Sequence, residues 1–277
     1  MANPDGYDII IEAGRSELHY WKDLWRYREL FFFLSWKELL VRYKQTVMGV
    51  MWSVIRPVLT MIVFTVVFGK IAKLPSSGVP YPILVFCAML PWQYFANSFS
   101  EASVSLIANT NLVSKIYFPR IIIPSSTIMM SLVDLMISIL VLAAIMAWYS
   151  FIPTWKVFLL PLFLLLDIIL SLGAGFIVSA LNVKYRDFKH VVPFIIQFGL
   201  YVSPVGYNSA IFTEKWRLIY SLNPMVGIID GFRWCITGDD VFLYAPALAI
   251  SIAVSLMLLV IGLVYFRRVE KTFADVI

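Results

Sequence analysis

The amino-acid sequence predicts an all-α polytopic membrane protein, with six transmembrane helices, amphipathic amino-terminal interface helices and two short re-entrant helices between the fifth and sixth spans. Three observations carry that prediction. Of 277 residues, 61% are apolar and 14% charged, against about 45–50% and about 25% in soluble domains, which excludes a water-soluble globule. Charge-free runs from Leu74 to Ser100, Leu135 to Trp155 and Val241 to Phe266 reach the roughly 20 residues that a helix needs to cross a hydrocarbon core. Lysine and arginine are distributed unevenly between the two sides those runs define.

The first 46 residues hold charges of both signs and no long apolar stretch followed by a small-residue cleavage site. No secretory signal is read there, and residues 1–46 form a cytoplasmic arm ahead of a six-helix domain at 47–277. Within the arm, Leu18, Trp21, Trp25 and Phe32 recur at near-helical spacing among Lys22, Arg26 and Arg28, the pattern of a helix lying in the headgroup layer. Ser35 and Glu38 have the spacing of a capping box, predicting a second interfacial helix with Trp36, Leu39, Leu40 and Tyr43 on one face.

Hydrophobic runs place the spans near 47–70, 81–107, 121–149, 156–181, 190–206 and 242–266. An even number puts both termini on one side. Fifteen basic residues then fall on the side of the amino terminus and six on the other, with Arg56 inside the first span, so the richer side is cytoplasmic by the positive-inside rule. That topology accounts for the formal charge of +5 without nucleic acid. Between the last two spans, Trp216, Ile219 and Tyr220 share a helical face, and Asn223-Pro224 followed by Gly238 frames a further short helix. Both pieces are too short to span.

Several chemistries lack their residues. The Gly-Lys pair at Gly69-Lys70 is followed by Ile71, where a P-loop needs Ser or Thr after its lysine. Gly173 and Gly175 lie inside a span, where small residues let helices approach closely. His19 and His190 fit no metal-binding pattern, and Cys87 and Cys235 read as unpaired packing residues. The chain is therefore expected to hold no cofactor and no catalytic residue. Asp134 and Asp167 lie within spans, where ionised carboxylates are costly and by default functional; a hydrogen-bonded structural role is the favoured reading, a proton relay the other. Arg56, directly before Pro57 and one turn after Trp52, either grips an anionic headgroup or snorkels to the interface. Dense aromatic residues, among them Phe198, Tyr201 and Tyr207, fit either interfacial belts or a path for sugar rings.

Arg42-Tyr43-Lys44-Gln45-Thr46-Val47-Met48-Gly49, with Trp52 and Pro57 after it, resembles the permeases of ABC transporters that export polysaccharides such as O antigens, capsules and teichoic acids. The resemblance continues through Pro80-Tyr81-Pro82, Leu90-Pro91-Trp92, Asn111 to Arg120, Ala180 to Asp187, Leu222-Asn223-Pro224-Met225 and Gly231-Phe232-Arg233-Trp234. It implies a homodimeric inner-membrane permease with both termini cytoplasmic, paired with two copies of an ATP-binding subunit that supplies ATP and Mg. It also implies coupling contacts at Asn111, Lys115, Tyr117, Arg120, Arg186 and Asp187, and a periplasmic gate at Trp216, Tyr220, Asn223 and Arg233. The substrate path would run past Trp52, Arg56, Phe198, Tyr201 and Tyr207, carrying a lipid-linked polysaccharide. A proton-coupled carrier and a membrane-embedded polyprenyl-sugar transferase stand as alternatives.

Overall fold

The computed structural model describes residues 17–44, 49–76 and 78–273, and within them the fold is entirely helical. In chain order the helices are α1 (Glu17–Arg26), α2 (Arg28–Lys44), α3 (Gly49–Phe64), α4 (Tyr81–Ala108), α5 (Thr110–Lys115), α6 (Ile122–Trp148), α7 (Leu160–Lys184), α8 (Phe188–Val202), α9 (Glu214–Tyr220), α10 (Pro224–Thr237) and α11 (Ala245–Glu270). A π-helical stretch, Thr65–Ile71, prolongs α3, and a 3-10 turn, Trp155–Leu159, leads into α7.

Among the described residues, four stretches are long and apolar enough to cross a membrane: Met51–Ile71, Ile122–Trp148, Trp155–Lys184 and Ala245–Glu270. Two expected spans differ for physical reasons. Helix α4 has 28 residues, but Gln93, Asn97, Glu101 and several serines dilute its hydropathy. Helix α8 has 15 residues, about 22 Å of helix, short of a hydrocarbon core about 30 Å thick. Helix α4 runs through the centre of the bundle with most of its apolar side chains buried, while Asn97 and Glu101 on it stay exposed and Gln93 half-buried.

Glycine sets a close helix crossing, as the Gly173/Gly175 spacing predicts. A Cβ on Gly173 would stand 2.5 Å from the backbone nitrogen of Leu259, and one on Gly262 would stand 2.4 Å from the Gly173 carbonyl oxygen. Helices α7 and α11 therefore meet backbone to backbone. Gly175 faces Ala102 of α4, where an added Cβ would approach that residue's Cβ to 3.1 Å. With no hydrophobic drive between helices in lipid, such close packing is a main source of cohesion.

The expected capping box at Ser35 is not there. Helix α2 begins seven residues earlier and runs unbroken through Ser35, whose hydroxyl donates back to the Phe31 carbonyl at 2.9 Å. The break falls instead at Tyr27, and even there Tyr27 N–H reaches Asp23 O at 2.9 Å. The reason is apolar: Leu30, Phe31 and Leu34 form one continuous face that packs on Val113, Phe118, Ile121, Phe176 and Phe266, and interrupting the helix would break that face. Helix α2 also packs along α6, so its carboxyl end lies beside an expected span. The opposite face of α1 and α2 presents Trp21, Trp25, Phe32, Phe33 and Trp36, all exposed, as an interfacial helix requires. Gln45 to Met48 of the recognised motif lie outside the described residues.

The end formed by α9 and α10, outer in the sense of lying away from the basic arm, carries the α10 caps its sequence predicts. Asn223 caps α10 by accepting from Met225 N–H at 3.0 Å, Pro224 opens the helix, and Gly238 closes it with φ of 76°. Cys87 and Cys235 are buried and free.

Candidate functional site

Where α2 ends and α3 begins, both helices meet Asp134 of α6. Arg42 Nη1 donates to Asp134 Oδ2 at 2.5 Å, Tyr43 Oη donates to Oδ1 at 2.6 Å, and Ser53 Oγ to the same oxygen at 3.2 Å. Asp134 stands twelve residues into α6, roughly 18 Å along it at about 1.5 Å per residue. A carboxylate at such depth is tolerable only with partners, and here it has three. It is hydrogen-bonded between packed helices, as the favoured reading expects, and its cation comes from the basic arm.

The same guanidinium reaches Glu101 of α4, Nη2 to Oε1 at 3.0 Å, with side-chain exposures of 29% for Arg42, 48% for Glu101 and 14% for Asp134. Glu38, one turn before Arg42 on α2, is raised to about 7, first by burial and then by the charge of Glu101, with Arg42 and Lys37 pulling the other way. Burial disfavours the carboxylate, and a like charge nearby compounds it.

Beside this cluster opens a cleft of about 290 Å³, walled by α2, α3, α4 and α6 and lined by Arg42, Trp52, Ser53, Arg56, Gln93, Tyr94, Asn97, Glu101 and Asp134 among others. Arg56 lies with its guanidinium 5.6 Å from the Trp52 ring centroid, a cation–π arrangement. No carboxylate pairs with Arg56 among the described residues. A flat indole, two amides, two guanidiniums and two carboxylates around one cleft make a surface able to hold a polar, hydroxyl-rich molecule carrying negative charge.

The other path residues stand elsewhere. Phe198 and Tyr201 are exposed on α8, and Phe198 stacks on Phe194 with centroids 6.0 Å apart. Tyr207 is at the outer end, its hydroxyl 2.8 Å from that of Tyr220 and its ring 6.4 Å from Phe68. The chain does not gather the five residues around a single cavity.

At that outer end Arg233 is 2% exposed. Its guanidinium donates to the carbonyls of Leu84 at 3.2 Å, Tyr207 at 2.7 Å and Val205 at 2.9 Å. Nearby, Ser209 Oγ donates to Asp230 Oδ2 at 2.5 Å and Asn223 Nδ2 to Ser203 Oγ at 3.0 Å. Trp216 is exposed on α9.

At the basic end, Asn111, Lys115 and Tyr117 are exposed on α5 and the extended segment after it. Arg120 is tied back: its N–H donates to Glu270 Oε1 at 2.6 Å, its guanidinium reaches the Glu270 carbonyl, and Tyr20 Oη donates to Glu270 Oε2 at 3.0 Å. Tyr27 Oη donates to the Tyr117 carbonyl at 3.2 Å. Arg186 and Asp187 are exposed in the turn between α7 and α8. Asp167 departs from expectation: it is fully buried, and neither carboxylate oxygen finds a hydrogen-bond partner among the described residues.

The family model described as "ABC-2 type transporter" matches residues 29–237, which takes in α2, the cleft and the outer helices through α10. The chain belongs to that family. An O-antigen export system permease protein, RfbA of Myxococcus xanthus, is 28% identical over 257 residues, covering 92% of this chain and 97% of the relative. Two permease proteins of the same name from Klebsiella pneumoniae are each 29% identical over 246 residues, 87% of this chain and 92% of theirs. The ABC-2 chain thus aligns with its relatives over nearly their full length, and the family implies an ATP-binding partner and a membrane setting.

Proposed function

We propose that this chain is the channel-forming permease subunit of an ATP-driven exporter that moves a lipid-linked polysaccharide, O antigen before capsule or teichoic acid, from the cytoplasm across the bacterial inner membrane. Two copies, each with six spans and both termini cytoplasmic, would enclose the channel, and two ATP-binding subunits would drive it with ATP and Mg. The observation that carries this reading is the cleft at the basic end. Its chemistry matches the junction of a glycan with a phosphorylated lipid, with Trp52 as the platform for a sugar ring and Arg56 for phosphate. Electrostatic attraction between the basic surface and the anionic headgroup would favour loading from that side.

The remaining residues take roles by position. Asn111, Lys115, Tyr117 and Arg120, with Arg186 and Asp187 in the neighbouring turn, would receive the ATP-binding subunit. Trp216, Tyr220, Asn223 and Arg233 would form the outer closure. Phe198, Tyr201 and Tyr207 would line the route beyond the cleft, where the apolar faces of sugar rings slide over aromatic rings without fixed hydrogen bonds.

In cells lacking the chromosomal copy, the wild-type chain with its ATP-binding partner is expected to restore surface glycan, and Arg56→Ala to cut it at least tenfold. Normal surface glycan in the Arg56→Ala strain, with the variant present at parental levels in the membrane, would remove Arg56 from the substrate path.

A further inference from the structure

The cleft holds a second arginine that recognition of an anion by Arg56 alone leaves unused. Arg42 faces the same space, yet it is occupied by Asp134 and Glu101. Those two partners are unequal. Asp134 is 14% exposed and shared with Tyr43 and Ser53, whereas Glu101 is 48% exposed and has Arg42 as its ion-pair partner at 3.0 Å. An exposed ion pair contributes little net stability, about 0–1 kcal/mol, so the Glu101 arm is the exchangeable one. The Asp134 arm is fixed by a hydrogen-bond network.

Formal charges on the four groups cancel: two guanidiniums against two carboxylates. An entering anion therefore meets no net attraction until one carboxylate gives way. Phosphate oxygens are stronger and better spaced bidentate acceptors for a guanidinium than a half-exposed single-point carboxylate contact. We propose that Arg42 and Arg56 form a two-arginine clamp for a pyrophosphate or phosphodiester group, and that Glu101 is its built-in competitor, holding Arg42 when the cleft is empty and releasing it when the anion arrives. The proposal rests on the reading of the cleft as a substrate site.

Release would not stay local. Helix α2, which carries Arg42, is bonded through Lys37 Nζ to Oδ1 of Asn109, the residue joining α4 to α5, at 3.4 Å, and Tyr27 at its amino-terminal edge donates to the Tyr117 carbonyl. Anion capture by Arg42 thus alters a helix anchored on the surface assigned to the ATP-binding subunit.

The test uses the complete complex with its ATP-binding subunit, in nanodiscs and without nucleotide. The probes are geranylgeranyl pyrophosphate, the uncharged alcohol geranylgeraniol, and inorganic pyrophosphate, with binding followed by calorimetry. The clamp predicts that Arg42→Gln and Arg56→Gln each weaken the lipid pyrophosphate at least tenfold. It also predicts that Glu101→Gln tightens it at least threefold, a gain that loss of a merely structural contact would not produce. Glu101 is at the cleft's rim, so this variant remains informative even where Arg42→Gln fails to assemble. The alcohol should bind all four proteins alike and more weakly than the pyrophosphate lipid. Measurable inorganic pyrophosphate binding with the same Glu101 dependence would assign recognition to the anion itself, and its absence would assign it to the lipid headgroup at the membrane surface. Unchanged or weaker binding in Glu101→Gln, while the parent binds the lipid pyrophosphate, overturns the clamp alone. A parent that binds no pyrophosphate lipid at all overturns the substrate reading with it.

Discussion

An arginine is central to each end of this molecule, and the two are held in opposite ways. At the outer end, Arg233 is buried and spends its donors on the backbone carbonyls of Leu84, Val205 and Tyr207. At the inner end, Arg42 is partly exposed and spends its donors on side chains, Asp134 and Glu101. A backbone carbonyl does not rotate away, and a buried one left without a donor is expensive. Glu101, half-exposed on a rotatable side chain, can be exchanged for another anion at little cost, whereas Asp134 is held by Tyr43 and Ser53 as well. The outer arginine is therefore a fastener that joins the 203–207 segment to α4, and the inner one belongs to a contact that can be traded.

The largest effect should come from cutting the fastener. Arg233→Met keeps the volume and removes every donor, leaving three carbonyls to find new partners, at a cost of at least about 3 kcal/mol from about 1–3 kcal/mol per buried group left unpaired. Thermal unfolding of the purified complex should show a loss of stability large enough to lower the yield of folded protein. If Arg233→Met melts within a degree of the parent, the contrast between the two ends fails, because the outer arginine would then be as dispensable as a surface one.

A smaller loss is expected at the inner end. Asp134→Asn keeps the shape and an acceptor for Tyr43 or Ser53 but removes the charge that Arg42 meets at 2.5 Å. The expected cost is about 1–2 kcal/mol, since the pair is partly open to solvent and a hydrogen bond to a charged group is worth about 1.5–3 kcal/mol when fully made. Export should suffer more than stability, since freeing Arg42 from its fixed arm would loosen the whole of α2 against α6. An Asp134→Asn complex that melts as far below the parent as Arg233→Met would make both ends fasteners.

The two ends also differ in how far they could be read from the chain. The outer helices were legible because their signals are local: Asn223 caps the residue two positions on, and Gly238 supplies a left-handed backbone that a side chain would resist. Four of the six expected spans were legible from apolar length, and the α7 glycines from their spacing. The inner cluster was not, because Arg42, Glu101 and Asp134 belong to three separate helices and an ion pair between residues 92 positions apart leaves no local trace. Ser35 misled for a related reason: three residues before a glutamate it has the form of a cap, but the apolar face of Leu30, Phe31 and Leu34 carries the helix straight through it. Arg56 and Trp52 were singled out correctly as neighbours one turn apart, whereas their association with Gln93, Asn97 and Glu101 depended on how α3 packs on α4.

The smallest effect concerns the pH response of Glu38 at the inner end. Glu38 is raised to about 7 by burial and by Glu101, against the pull of Arg42 and Lys37; an unfolded glutamate titrates near about 4.3. Below that lower value Glu38 is protonated in both states and contributes nothing. As pH rises toward 7 the unfolded chain ionises first, so the folded state loses stability, and above 7 the full penalty is present. Glu38→Gln removes the ionisation and should melt above the parent at pH 8 by roughly 2–4 °C, which corresponds to about 1 kcal/mol after allowance for solvent screening of a partly exposed group. The gap should shrink steadily as the pH is lowered through 6 toward 5. Arg42 gains from the ionised form of Glu38 and Glu101 loses by it, so the shrinking gap also measures how strongly the three groups share one charge balance. A gap of constant size from pH 5 to pH 8 would assign the effect to packing and uncouple Glu38 from the Arg42 cluster.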